Sequence, residues 1–314
     1  MILILSDTSD VTTYHVARWL EYLGKEVCII TDEDRVEVVT ITHDDLVLKL
    51  DDQTIDLKNI SAYWYRRGDI VLATEPALLN YPTDVRSELK KETASIIGII
   101  YRRLAGCRCL GTIWNADVNR VLTMDMAKEE GLTIPDYCIC SSKTTLTAFR
   151  EKHTQIVTKP VWNGLSCFED NILYTNHTHL FTDDDFAALP EIFYPSYFVS
   201  YVEKKYELRI FYLDGQCHTM AILSQNDEQT KIDFRHYNTQ KPNRNLPYLL
   251  PKNVEAKIDQ LMKRLRLKTG SIDMIVTNAD EFIFLEVNPV GQFLNLSHTC
   301  NYNLEKNVAS YLAG

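Results

Sequence analysis

Apolar positions along the chain fall into two periods, and the switch between them marks the elements. Ile2 to Leu5 and Val27 to Ile30 are short unbroken apolar runs that read as strands. Between them Val16, Trp19, Leu20 and Leu23 recur at helical spacing, after candidate N-caps in Asp7 to Asp10 and before a stop at Gly24. The chain therefore starts as a βαβ unit. A second helix is predicted from about Asp84 to Ala105, with Val85, Leu89, Ile96, Ile97, Ile100 and Leu104 inward and Gly106 ending it. A third, through Val118, Val121, Leu122 and Met126, stops at Gly131, and Ile134-Pro135 leads into an alternating strand from Tyr137 to Cys140. Then come a β-branched run ending at Lys159-Pro160, an aromatic strand region from Tyr194 to Val202, and the strands Glu207 to Leu213 and Cys217 to Leu223 joined by Asp214-Gly215. A loop rich in proline and asparagine, Asn238 to Pro251, precedes a helix with Val254, Ile258, Leu261, Met262 and Leu265 inward.

The length of 314 residues sets an expectation of about two domains, and 45% hydrophobic residues are enough to fill their cores. The net charge of −10 argues against a general binder of nucleic-acid backbone, although a locally basic pocket for a small anion remains compatible with it. The apolar start, Met1 to Leu5, is too short for the core of a signal peptide, and no stretch of ~18 apolar residues follows. This reads as a cytoplasmic chain with no membrane partner. Of the eight cysteines, Cys107/Cys109 and Cys138/Cys140 have C-x-C spacing, and none has the C-x-x-C spacing of a zinc or redox motif. Small buried thiols account for them more simply than a metal does. The start also lacks a G-x-G-x-x-G turn, which removes the main support for a dinucleotide-binding oxidoreductase.

The most informative stretch runs from Gly270 to Pro289. Two apolar strands flank Asn278-Ala279, which reads as a hairpin turn. With an even-length loop centred there, Asp273 faces Phe284 and lies diagonal to Glu286, and alternation puts Asp273, Glu286 and Asn288 on one face. A three-residue loop would reverse that parity. The apolar neighbours imply partly buried carboxylates that need a cation. Two carboxylates and an amide oxygen without Cys or His make a hard oxygen set that suits Mg²⁺ shared with nucleotide phosphates; the alternative is a polar edge on a hairpin. Upstream, Lys159 delivers an ammonium beside the Gly164 loop, or else ends a strand in solvent. Glu207-x-Arg209 and Asp233-x-Arg235 repeat an acid-x-Arg spacing, which serves either cross-strand ion pairing or bidentate capture of carboxylate and phosphate.

The ordered set is Asn119-Arg120, Lys159-Pro160, Tyr201-Val202-Glu203, Glu207-x-Arg209, Asp233-x-Arg235, Asp273 and Glu286-x-Asn288. It resembles the ATP-grasp ligases over nearly the whole chain. Glu203 to Arg209, Pro242-Asn-Arg244 with Leu246-Pro247-Tyr248, and Leu285 to Gln292 are similar to the branch that matures graspetides, of the microviridin and grasp-with-spasm types. The resemblance implies an α/β and α+β architecture: an N-terminal βαβ domain over 1–115, then two α+β subdomains, 116–199 and 200–314, clamping ATP. It implies nucleotide contacts from Arg120, Lys159, Tyr201, Val202, Glu203 and Glu207, Mg²⁺ ligands in Asp273, Glu286 and Asn288, and catalytic Arg209 and Arg235. Lys204, Lys205, Lys231 and Arg244 are candidates for contact with a leader peptide. Two departures stand out. The first nucleotide lysine of the family is Arg120 here, and the basic residue some relatives carry near Ile222 to Gln225 is missing.

The implied activity is ATP-dependent macrocyclisation of a ribosomally made precursor peptide with leader and core. Asp or Glu side chains are activated as acyl phosphates and joined to Ser or Thr hydroxyls or to Lys amines. A homodimer is compatible with the resemblance. Two other readings stay open: a ligase joining an amino acid to a small acid or a protein C-terminus, and a non-catalytic peptide-binding protein on the same fold.

Overall fold

The computed structural model describes residues 1–74, 77, 80–162, 166–169, 172–175, 178–225 and 242–314. They gather into two compact units, Met1–Asp117 with Arg266–Gly270 and Pro289–Gly314, and Val118–Leu265 with Ser271–Asn288. The first unit opens with β1 (Ile2–Leu5), α1 (Val11–Tyr22) and β2 (Val27–Ile30), and β1 and β2 are parallel in the register Ile2↔Val27 to Leu5↔Ile30. The carboxylate of Asp10 caps α1 by accepting from the Thr12 amide, and Gly24 takes the left-handed φ of 71° that stops it. Val16 and Leu20 are buried as the period predicts, whereas Leu23 sits past the last turn and is exposed.

A meander of β3 (Val36–Ile41), β4 (Leu46–Leu50) and β5 (Gln53–Asp56) is inserted before β6 (Ala62–Tyr65), which returns to the other side of β1. Helix α2 (Thr83–Leu104) then leads to β7 (Arg108–Leu110), giving a parallel sheet in the order β2-β1-β6-β7. Strand order thus reverses between β1 and β6, and the chain passes closely there. A Cβ on Gly68, at φ 74°, would lie 2.3 Å from the carbonyl oxygen of Ser6. The expectation of an inward stripe along all of α2 fails at its start: Val85 is exposed, and only from Ile96 onward does the helix reach the core around Leu3, Leu5 and Tyr63.

The second unit begins with α3 (Arg120–Glu129), capped by Asn119, whose side chain accepts from the amides of Val121 and Leu122. Thr123, Met124 and Ala127 form its buried face, and Leu122, expected inward, is exposed. There follow β8 (Tyr137–Ser142), α4 (Lys143–Arg150), β9 (Ile156–Thr158), the hairpin β10 (Ser166–Glu169) and β11 (Ile172–Thr175), β12 (His179–Phe181), α5 (Asp183–Ala188) and β13 (Ile192–Ser200). Strands β12-β9-β13-β8 form one antiparallel sheet. A second sheet is built from β14 (Tyr206–Leu213), β15 (Gln216–Leu223), β16 (Arg244–Tyr248), β17 (Thr269–Val276) and β18 (Phe282–Asn288), in the order β16-β15-β14-β17-β18. Helix α6 (Lys252–Arg264) buries Val254, Ile258, Leu261 and Met262 as its spacing predicts. The stretch read as a loop up to Pro251 contains β16; its Pro247 is accommodated because β16 is an edge strand. Past β18 the chain rejoins the first unit, where α7 (Leu294–Cys300) and α8 (Leu304–Ala313) are joined by a buried hydrogen bond from the Ser297 hydroxyl to Glu305. Among the described residues no helix is long and apolar enough to cross a membrane.

Candidate nucleotide and metal site

The β17–β18 hairpin turns on three residues, not two. Thr277 and Glu281 close the loop, with the Thr277 amide donating to the Glu281 carbonyl at 3.0 Å, and Asp280 supplies the left-handed φ of 60° that such a loop needs. Near the turn Val276 pairs with Phe282, Ile275 with Ile283 and Met274 with Phe284. Continued unchanged, that register would put Glu286 on the face opposite Asp273. A bulge at Leu285 intervenes, and beyond it Asp273 pairs directly with Glu286 and Ser271 with Asn288. The expected facing of Asp273 with Phe284 is therefore replaced by a direct pairing with Glu286, and the shared face of Asp273, Glu286 and Asn288 is recovered through the bulge.

Two carboxylates opposite each other on a sheet repel, the more so when partly buried. Each is answered by a guanidinium. Arg209 Nη1 on β14 lies 2.7 Å from Asp273, and Arg120 Nε, at the first position of α3, lies 3.0 Å from Glu286. Asp273 and Glu286 are 14% and 20% exposed, so these pairs have one side in the interior and one open. Arg120 also donates to the carbonyls of Pro160 and Trp162, so the planar fork ties the start of α3 to the segment after β9. Among the described residues no three carboxylate, imidazole or thiol side chains converge, and the donor set remains two carboxylates and the amide of Asn288. It fits a hard cation that keeps most of its coordination for water and phosphate.

The same face opens onto a partly open pocket. Lys159, Tyr201, Val202, Glu207, Asp273 and Glu286 all line it, brought together from the residue just after β9, the β13–β14 connection, β14, β17 and β18. Pro135, Val157, Val199, Ile275 and Leu285 supply apolar walls, which suit a flat heteroaromatic ring. Glu207 is buried; the Lys204 ammonium donates to it at 2.6 Å and the Ser224 hydroxyl at 2.8 Å. Burial pushes its carboxyl above the usual range, against the pull of Lys204 and Ser224.

Glu203 follows the lining hinge residues and is exposed. Among the leader-contact candidates, Lys204 is buried within the cavity wall, Lys205 pairs with Asp280 at the hairpin tip at 2.8 Å, and Arg244 is exposed at the start of β16. Gly164, Lys231, Asp233 and Arg235 lie outside the described residues. Sequence reasoning missed Ser224 and the apolar walls. Val157 and Ile275 lie two positions from Lys159 and Asp273, so strand alternation was the available signal for them. Of the C-x-C cysteines, Cys138 and Cys140 are free thiols, and burial pushes Cys140 up to about 11.

No protein-family model matches the chain, and no curated protein matches it. Solved structures do. The RiPP-associated ATP-grasp ligase of Chryseobacterium gregarium, in complex with ADP and a leader and core peptide, is 24% identical with a TM-score of 0.85, covering 99% of this chain and 96% of its own. The macrocyclase MdnC of Microcystis aeruginosa, bound with the precursor peptide MdnA, is 27% identical with a TM-score of 0.81, covering 100% and 99%. The ATP-grasp ligase PsnB, complexed with minimal precursor, Mg and ADP, is 14% identical with a TM-score of 0.73, covering 99% and 96%. Similarity over essentially the full length of both chains, together with the cavity and its paired carboxylates, gives this protein the ATP-grasp fold in the form seen in RiPP ligases.

Proposed function

We propose that this protein is an ADP-forming macrocyclase of a ribosomally made precursor peptide. The observation that carries the reading is the opposed pair Asp273 and Glu286, each held by an arginine, in the wall of the cavity that Lys159 and Glu207 also line. In this reading ATP occupies the cavity, with the base between the apolar walls and the hinge Tyr201 to Glu203, the ribose at Glu207, and the phosphates toward Lys159 and Arg120. Asp273, Glu286 and Asn288 would hold Mg²⁺, which supplies charge neutralisation for the phosphates when bound.

A carboxylate oxygen of a substrate Asp or Glu attacks the γ-phosphorus, the bond to the β-γ bridging oxygen breaks, and acyl phosphate and ADP form. A Ser or Thr hydroxyl or a Lys amine of the same peptide then attacks the acyl carbon, loses its proton and expels phosphate, closing an ester or amide ring. Both partners in the first step are anionic, so the barrier is largely electrostatic; Arg209 and Arg235 are assigned to the charge that develops there. No protein nucleophile is needed. Contact with the leader is assigned to Lys204, Lys205, Lys231 and Arg244. The division into 1–115, 116–199 and 200–314, action in the cytoplasm and a homodimeric state belong to the same proposal.

The test is ADP release with a precursor peptide, compared with the peptide whose core Asp and Glu are replaced by Asn and Gln. Release that depends on those carboxylates supports the assignment. Release driven equally well by free amino acids, and indifferent to the core carboxylates, would favour a small-molecule ligase.

A further inference from the structure

Asn288 is the last residue of the hairpin, and the chain immediately beyond it is tied down more densely than a loop requires. Arg66 and Arg67 follow β6 at the point where the parallel sheet reverses its strand order. Arg66 Nη1 donates to the carbonyl of Val290 at 2.5 Å and to that of Gly291 at 3.2 Å, and Arg67 Nη2 donates to Val290 at 3.1 Å. Both guanidiniums are drawn to one carboxylate: Asp10 Oδ2 lies 2.8 Å from Arg66 Nε and 3.3 Å from Arg67 Nε. Asp10 is itself fully buried and fixed by its capping bond from the Thr12 amide at 2.8 Å.

The next residues are held as well. The Thr12 hydroxyl donates to the side chain of Gln292, the Val290 side chain packs on the core of the parallel sheet, and the Arg66 guanidinium lies 5.9 Å from the ring centre of Phe293. Arg66 is only 3% exposed, and among the described residues its Nη2 is buried without a hydrogen-bond acceptor. Burying a guanidinium is costly even when it is paired with a buried carboxylate such as Asp10, and the two backbone carbonyls add only a modest return. A role in placement accounts for the arrangement better than one in stability.

We infer that Asp10, Arg66 and Arg67 are positioning residues for the metal ligands: they fix the backbone at Val290 and Gly291, two and three residues beyond Asn288, and so hold the end of the strand that carries Glu286 and Asn288. The inference rests on the assignment of those residues to Mg²⁺. Two peptide units span at most ~7 Å, so a shift at Val290 has little slack before it reaches Asn288. Misplacement of about 1 Å at a reacting centre costs on the order of 100-fold, which is the scale on which such an anchor matters.

The test uses the full chain with Arg67→Met, which removes one bond to Val290 from a partly exposed residue, and with Arg66→Met and Arg66→Lys. Hydrogen exchange across 286–293 reads the anchor, and ATP affinity titrated against Mg²⁺ reads the ligands. The expected result is faster exchange in this segment and a rise of about tenfold in the Mg²⁺ concentration for half-maximal ATP binding, with peptide KM unchanged and Arg66→Lys partly restored. If Arg66→Met fails to fold, Arg67→Met decides alone. Variants whose Mg²⁺ dependence matches that of a Mg²⁺-dependent wild type overturn the inference, whatever their exchange. A wild type whose ATP affinity ignores Mg²⁺ overturns the metal assignment itself, and with it the inference.

Discussion

Asp273 stands directly opposite Glu286 because Leu285 is left unpaired. The three-residue turn alone would have sent the two carboxylates to opposite faces, and the bulge brings them back to one. A repulsive pair placed by a local irregularity, with a guanidinium on each member, is a feature that packing alone does not call for.

Asp273→Asn keeps the size and most hydrogen-bonding capacity of the side chain and removes its charge. ADP release at fixed Mg²⁺ should fall by about 100-fold or more, while the melting temperature changes little because Arg209 keeps an oxygen acceptor. Steady-state ADP assays and a thermal melt check this; retained turnover would remove Asp273 from the metal set.

Arg120→Lys preserves charge and removes the fork. One ammonium cannot reproduce the bond to Glu286 and the bonds to the carbonyls of Pro160 and Trp162 together. ATP affinity should weaken by about tenfold, the equivalent of ~1.4 kcal/mol. Calorimetric titration with a non-hydrolysable ATP analogue measures it, and an unchanged affinity would show that charge alone suffices at this position.

Lys204→Met tests the buried pair with Glu207. Burial raises the Glu207 carboxyl above its ordinary value of 4.5, so the folded state holds that proton more tightly than the unfolded chain does. Its contribution to stability is therefore full below 4.5 and is lost as pH climbs through the folded value. Removing Lys204 takes away the largest influence pulling that value down. The variant should lose about 3–5 kcal/mol near neutral pH and less as Glu207 becomes protonated in acid. Urea unfolding at about pH 5 and about pH 8 compares the two conditions, and a loss independent of pH would contradict the assignment.

Gly68→Ala should destabilise by about 2 kcal/mol or more, since it meets both an unfavourable φ of 74° and a backbone oxygen 2.3 Å from the new Cβ. A denaturant midpoint lowered without a change in slope is the expected reading.

Periodicity located the elements well where one neighbour dominates. The βαβ start, the Asp214-Gly215 hairpin and the inward face of α6 follow from residues i, i+2 or i+3/i+4 alone. It failed where burial depends on distant chain. In α2 the apolar stripe continues past the part of the helix that reaches the core, and in α3 the buried face is set by packing against β18. The site was legible as residue types in order. Its register was not, because whether a hairpin turns on two residues or three, and whether a bulge follows, depends on the Thr277 and Asp280 conformations and not on hydrophobic pattern. Lys204 illustrates the same limit: adjacent lysines look alike in sequence, yet Lys204 is buried on Glu207 while Lys205 reaches Asp280 at the surface.

The most direct test of the central claim is the mass of a precursor peptide after incubation with the protein, ATP and Mg²⁺. The expected result is the loss of one water per ring, with one ADP formed for each and no loss when the core Asp and Glu are replaced. ADP formation with the peptide mass unchanged, across peptides carrying both acidic residues and Ser, Thr or Lys, would contradict it.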